Sequence, residues 1–252
     1  MAQRRRQDLI MELIQQNGFV TTEQLVDQFK VTPQTIRRDL NDLASQKKLR
    51  RHHGGAGIDS STVNTASQAR KIMDLEAKER IAEALVDMIP DNSSMFINIG
   101  TTTETIAKAL LEKNNLQVVT NNLHVASILS AKEDFHIIIA GGEVRNRDGG
   151  IVGEATRDFI NQFKMDFGII GISGIHSDGS LLDFDYREVR VAQSIIENSG
   201  QVLLAADHSK FGRNAMVRLG SIAQADHVFT DEPPPVEIRQ LLRENNVELH
   251  LV

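Results

Sequence analysis

Apolar positions along this chain recur with two different periods, and the change of period divides it in two. Near the N-terminus the spacing is helical. Leu9, Ile10, Leu13 and Ile14 predict a helix over about 4–16, with Asn17-Gly18 as its stop. A second helix is predicted from Thr21, with Gln24 as capping-box partner, Val20 and Leu25 as a hydrophobic staple, and Leu25, Val26 and Phe29 as inner stripe. Lys30-Val31-Thr32 then turns into a third helix, where Thr32 is the N-cap and Pro33 suits the first helical position because it has no N–H to leave unpaired. Along that helix Ile36, Leu40 and Leu43 share one face. Gln34, Arg38, Asn41 and Ser45 share the opposite one, with Thr35 and Arg37 on the flanks.

Further on, the apolar residues gather into short continuous runs separated by helical stretches. Residues 57–65 are small and polar and read as a linker. A helix is predicted over about 68–89, with Ile81, Leu85, Met88 and Ile89 inward and Pro90-Asp91-Asn92 ending it. Strands are predicted at 95–99, 116–120, 135–140, 167–172, 202–206, 228–230 and 247–251, and helices at about 103–112, 123–131, 154–163, 188–197 and 236–244. Near-continuous aliphatic strands between helices imply a parallel sheet covered on both faces. The expected fold is therefore α/β: a winged helix-turn-helix over 1–57, a linker over 58–67, and a Rossmann-like parallel-sheet domain over 68–252.

Charge follows the same division. Residues 1–55 hold ten Lys/Arg against six acids, net +4, while the whole chain is −6, leaving −10 for the remainder. A basic head on an acidic body fits a nucleic-acid reader with a separate sensing or assembly domain. No cysteine is present, so disulfides and thiolate sites are excluded. The N-terminus carries charge in place of an apolar leader, and no apolar run approaches the ~20 residues of a membrane span. A cytoplasmic protein without membrane contact is expected.

The third helix and its surroundings carry the first candidate chemistry. Two adjacent arginines alone would read as a solvated helix face. Placed on the second helix of a helix-turn-helix, Thr32, Gln34, Thr35, Arg37, Arg38 and Asn41 are groups that read base edges and grip phosphates of double-stranded operator DNA. Arg50, Arg51 and His52, in the segment Leu49-Arg50-Arg51-His52-His53-Gly54-Gly55, read as a basic wing against the backbone. Neither His52-His53 nor any other group is expected to bind metal, because adjacent histidines lack helical ligand spacing and no cysteine accompanies them.

The second candidate lies at the carboxyl ends of the strands, where open α/β sheets bind ligands. Asn98, Gly100, Thr101, Thr102 and Thr103 lie where the first strand meets a helix. There, amides and hydroxyls can surround an anion or simply cap the turn. Thr120 and Asn121 end the second strand, and Gly141 and Gly142 the third. Gly171-Ile172-Ser173-Gly174 follows the fourth, and Asp207-His208-Ser209-Lys210-Phe211-Gly212 a later one. Lys210 is a counter-charge for a phosphate, and Asp207 could orient it or accept from a hydroxyl. Asp207, His208 and Ser209 are adjacent in an extended segment and so point to different sides, which argues against a triad. There is no Walker loop and no complete GxGxxG, so no nucleotide or other cofactor is expected.

The chain resembles the DeoR family of bacterial transcription regulators. The likeness is carried by Arg6, Ile10 and Ile14, by Thr32-Pro33-Gln34-Thr35-Ile36-Arg37-Arg38-Asp39-Leu40, and by the wing through Ala56. It continues through the strand-end segments above and Ala140-Gly141-Gly142-Glu143. The resemblance implies a winged helix-turn-helix joined to a sugar-phosphate-isomerase-like domain that senses a phosphorylated metabolite and catalyses nothing. The likeness at Arg147-Asp148-Gly149-Gly150-Ile151 and Phe211-Gly212-Arg213-Asn214-Ala215-Met216 implies glycerol 3-phosphate, or a similar phosphorylated polyol or sugar, as effector. A homodimer or homotetramer would follow. Asn98 departs from the family pattern, which is expected to carry Asp there, so ligand preference or affinity is expected to differ. The competing expectation is an isomerase-like enzyme with a DNA-binding head, whose base would be Glu188 or Asp183.

Overall fold

A computed structural model of the chain describes residues 3–46, 48–52, 54–58, 60 and 64–252. It divides into two compact units, one running through Leu75 and the other from Glu76 onward. Of the predicted 58–67 linker, Asp59, Ser61, Thr62 and Val63 lie outside the described residues, as do Lys47 and His53.

The first unit comprises α1 (Gln3–Asn17), β1 (Phe19–Thr21), α2 (Thr22–Phe29), α3 (Pro33–Ser45), β2 (Arg50–His52), β3 (Gly55–Gly57) and α4 (Ser67–Ile72). Thr21 and Gln24 form the expected capping box on α2, and the Thr32 hydroxyl accepts from the Thr35 amide at the start of α3. Ile10, Ile14, Val20, Leu25, Ile36, Leu40, Leu43, Leu49 and Ala56 make one core. The wing is a hairpin of β2 and β3, and β3 also pairs antiparallel with β1, a strand too short for its periodicity to register. Among the described residues of this unit three charged ones are buried, Arg6, Asp39 and Asp74, and Arg6 on α1 donates to Asp39 on α3. Both lie on the apolar stripes of their helices, Arg6 four residues before Ile10 and Asp39 three after Ile36.

The helix predicted over 68–89 is broken in the structure. It becomes α4 and α5 (Leu75–Asp87), separated by Met73 and Asp74. Asp74 adopts a φ of 50°, which no continuing right-handed helix allows. Its carboxylate lies 3.5 Å from His52 Nδ1.

The second unit continues through β4 (Ser94–Ile97), α6 (Thr101–Ala109), β5 (Gln117–Thr120), α7 (Leu123–Leu129), β6 (His136–Ile139), β7 (Glu143–Arg145), β8 (Gly150–Val152), α8 (Glu154–Ile160) and β9 (Met165–Gly171). It then adds β10 (Gly174–Ile175), β11 (Ser180–Asp183), α9 (Tyr186–Glu197), β12 (Ser199–Ala205), β13 (Val217–Ser221), β14 (His227–Thr230), α10 (Val236–Glu244) and β15 (Glu248–Leu251). The seven predicted strands are the seven strands of one sheet, ordered β15-β14-β12-β9-β4-β5-β6, with every pairing parallel.

Neighbouring residues of each central strand enter opposite cores. Phe96, Val119, Ile170 and Leu204 pack with α8, α9 and α10, while Ile97, Val118, Ile169 and Leu203 pack with α5, α6 and α7. That two-sided burial is why the strands read as unbroken aliphatic runs. Strand order reverses between β4 and β9. The chain builds outward from β4 to β5 and β6, then returns to the other side of β4. Ligand crevices of open parallel sheets open at the carboxyl ends of the strands flanking such a reversal. Among the described residues, no helix is long and apolar enough to cross a membrane.

Candidate DNA-reading face and effector cradle

On α3 the side chains of Thr32, Gln34, Arg37, Arg38 and Asn41 are exposed and Thr35 is half-buried, bonded through its hydroxyl to Thr32 at 2.9 Å. Ile36, Leu40 and Leu43 hold the opposite side in the core, so the polar face is fixed by burial behind it. The wing brings Arg51 close to Arg37. Burial, and then the Arg37 guanidinium, lower the Arg51 pKa from its ordinary value. Arg51 Nη1 is buried without a hydrogen-bond partner. Two guanidinium groups held together with an unused donor suit a phosphate. Arg50 is half-buried on the same strand. His52 is turned the other way: its side chain is 7% exposed, its ring meets Phe19 edge-on at 5.8 Å, and it faces Asp74. The structure thus brings Arg51 to Arg37 of α3 and turns His52 toward Phe19 and Asp74.

In the second unit the cradle is built from the reversal outward. Asn98, at the end of β4, donates from Nδ2 to the Gly171 carbonyl at 3.3 Å and accepts at Oδ1 from the Gly171 amide at 3.0 Å. It staples β4 to β9 at the reversal, and both polar ends of its amide are used. A carboxylate could accept there but could not donate, which gives the amide a physical reason.

Gly100 leads into α6 with no side chain capping its N-terminus. The first-turn N–H groups of a helix have no intrahelical partners and favour an anion. Thr101, Thr102 and Thr103 are buried there. Thr103 spends its hydroxyl on the Asn98 and Gly100 carbonyls, at 2.9 and 2.8 Å. The Thr120 hydroxyl donates to the Ile97 carbonyl at 2.7 Å and accepts from the Asn122 amide. Asn121 donates to the Ile151 carbonyl at 2.9 Å and Asn122 caps α7. That leaves Asn121 Oδ1 and Asn122 Nδ2 buried without partners, one acceptor and one donor. Buried unpaired polar atoms are uncommon and mark places where a ligand or water belongs.

The β7–β8 hairpin lies against these strand ends. Ile151 donates its amide to the Asn121 carbonyl at 2.7 Å, and Leu123 donates to Gly149 at 3.0 Å. Gly150 approaches so closely that a Cβ would stand 2.5 Å from Ile99 Cδ1, so a larger residue there would force the Ile99 side chain to move. Gly141 and Gly142 precede the hairpin and are exposed. Gly142 has a φ of 152°, and a Cβ there would sit 2.1 Å from Thr156 Oγ1. The backbone's path thus explains Gly142, whereas a Cβ at Gly141 would meet nothing within 4 Å.

Asp207 is fully buried after β12. Its Oδ1 accepts from the Ser209 amide and hydroxyl, and its Oδ2 lies 3.1 Å from Lys210 Nζ. Burial acts to raise its pKa. Lys210, Lys78 and the hydrogen bonds from Ser209 and Lys210 outweigh that, so the group is held below the usual carboxylate range. Lys78, on α5 and 2% exposed, was missed by the sequence reading. It lies three and seven residues before Ile81 and Leu85, on the buried stripe itself, and that spacing was the available signal. The Asp207 carboxylate therefore lies within electrostatic reach of two ammonium groups, Lys210 and Lys78.

A second group absent from the sequence reading surrounds Arg145. It meets Asp148 at 2.8 Å through two nitrogens, Asp185 at 3.0 Å and Glu188 at 2.7 Å. Burial and the neighbouring Asp183 push the Glu188 carboxyl up to about 8, against the pull of Arg145. Asp183 accepts from the Ser173 hydroxyl and the Phe184 amide. Of the two carboxylates that could serve an isomerase as base, Glu188 pairs with Arg145 and Asp183 accepts from Ser173 and Phe184.

Comparison with known proteins matches residues 6–62 to the DeoR-like helix-turn-helix domain and residues 73–232 to the DeoR C terminal sensor domain. The chain is 59% identical over 251 residues to the glycerol-3-phosphate regulon repressor of Escherichia coli K12, covering all of both chains. It is 50% identical to the protein of the same name from Haemophilus influenzae, covering all of this chain and 98% of that one. Among solved structures, a D-ribose-5-phosphate isomerase in complex with phospho-erythronic acid is 15% identical, with a TM-score of 0.41 over 54% of each chain.

Proposed function

The chain belongs to the DeoR family, and from that premise we propose that it represses transcription by binding operator DNA and releases it on binding glycerol 3-phosphate or a similar phosphorylated polyol or sugar. The observation that carries this reading is full-length likeness to glycerol-3-phosphate regulon repressors, in a chain that pairs a polar α3 face with a buried polar cradle. In this reading Thr32, Gln34, Thr35, Arg38 and Asn41 contact the groove. Arg37, Arg50 and Arg51 hold phosphates, and His52 supports the wing from behind. The α6 N-terminus with Gly100, Thr101 and Thr102 receives the effector's phosphate, and Lys210 and Lys78 supply charge. Asn121 and Asp207 meet hydroxyls, while Asn98, Thr103, Thr120, Gly141 and Gly142 shape the cradle.

A ligand relieves repression only by binding the DNA-incompetent arrangement more tightly. Fluorescence anisotropy on labelled operator is the test: glycerol 3-phosphate should weaken binding in the wild type. No response to glycerol 3-phosphate, with a response to another sugar phosphate, would change the effector and keep the repressor. Turnover of sugar phosphates by the purified chain would overturn the non-enzymatic reading, which rests on relatives named as transcriptional repressors.

The two classes of DNA contact should separate by mutation. Arg38→Ala should cost about 1–3 kcal/mol on the operator and much less on random DNA. Arg51→Ala should weaken both alike and reduce the slope of log affinity against log salt by about 1. Equal losses on both DNAs for Arg38→Ala would remove it from base reading.

Symmetric operators are read by paired heads, so a cytoplasmic homodimer or homotetramer is part of the proposal. The sheet edge at β6, where Ile139 is 44% exposed, is a surface that such assembly could cover. A monomeric mass in light scattering of the full chain would exclude it.

A further inference from the structure

We propose that His227, His250 and Glu248 form a binding site for a divalent cation of the zinc class, on the sheet at its β14–β15 edge. The register of two parallel strands creates it. His227 pairs with Glu248 and Phe229 with His250, so residues 227, 248 and 250 all project from one face. His227 Nδ1 lies 3.1 Å from His250 Nε2 and 3.5 Å from Glu248 Oε2, and His250 Nε2 lies 3.7 Å from Glu248 Oε1.

These separations are those of a ligand set. Donors about 2.0–2.1 Å from a tetrahedral zinc ion stand about 3.3 Å from one another. Two imidazoles and a carboxylate are the donor types that zinc and its neighbours in the first transition row accept. The alternative for the histidine pair is one shared N–H, a contact that needs no carboxylate beside it. The His250 ring is already oriented, stacked on Phe229 at 4.4 Å and 10°. Glu248 is 65% exposed, so the fourth position would be open to water. The histidines lie 23 residues apart in sequence, and only strand register brings them together. The site is independent of the DNA and effector readings.

The experiment is competition between the full chain and a chromophoric chelator for Zn2+, with Co2+ as spectroscopic probe. The wild type should take up a single equivalent of Zn2+, and its Co2+ form should show the strong visible bands of a tetrahedral site. His250→Ala should weaken binding by at least about tenfold and abolish those bands. Glu248→Gln, at an exposed position that leaves the fold alone, should weaken binding severalfold. His208→Ala, which disrupts the other grouping of His and acids, His208 with Asp231 and Glu232, should leave binding unchanged. Zn2+ affinity no tighter than about 100 μM, uptake indifferent to both His250→Ala and Glu248→Gln, or uptake lost in His208→Ala would overturn the site.

Discussion

Asp39→Ala should unfold the first unit and abolish operator binding, although residue 39 touches no DNA in the proposed arrangement. Asp39 is 1% exposed, and its carboxylate accepts from Arg6, itself 7% exposed. Removing one partner of a buried ion pair strands the other charge, at a cost of about 3–5 kcal/mol. A unit this small has little stability to spare. The double variant Arg6→Met/Asp39→Leu removes both charges and should recover much of the loss. Urea denaturation followed by circular dichroism, with operator anisotropy beside it, checks both. An Asp39→Ala chain with the wild-type midpoint would show that the pair carries no such weight.

Asp207→Ala should destabilise the second unit by a similar amount, about 3–5 kcal/mol, because it removes the buried carboxylate that pairs with Lys210 and lies near Lys78. Lys210→Ala is different. Lys78 still balances Asp207, so the fold should survive and the operator should still bind, but the response to glycerol 3-phosphate should be blunted. The acid limb of stability gives a second reading. The folded pKa of Asp207 is depressed, so its contribution is fully present above the unfolded value of about 3.9 and is lost as pH falls through the folded one. Asp207→Asn should flatten the stability profile below about pH 4. Equal thermal midpoints for Asp207→Ala and Lys210→Ala would refute the three-charge arrangement.

Both aspartates share a lesson about legibility. The seven sheet strands and the three helices of the head stood out in the sequence because burial on one or two faces leaves a long apolar signature. Loops at the strand ends were legible through topology alone, since a parallel sheet sends all its carboxyl ends to one rim. The strands β1, β7, β8, β10, β11 and β13 were not legible. They run for two to five residues, and distant partners rather than local periodicity decide their pairing. The break at Asp74 was hidden for a related reason, because it rests on one backbone angle and a carboxylate facing His52. Arg6, Asp39 and Lys78 were visible as charges on apolar stripes, a pattern that points to buried partners without naming them. The Arg145 lattice joins residues 143–188 through tertiary contacts that no spacing announces.

The Asn98–Gly171 staple also sets an order in time. Its partners are 73 residues apart, whereas β4 and β5 are joined through 23. Closing the longer loop costs more entropy and is slower. The outer half of the sheet, β4-β5-β6, should therefore gain amide protection before the β4–β9 seam in pulse-labelled hydrogen exchange. Simultaneous protection would contradict that order. On the ribosome the head emerges first and can fold while the sensor is still being made. A nascent chain would then pass through an interval in which its DNA-reading head is folded while its sensor is not.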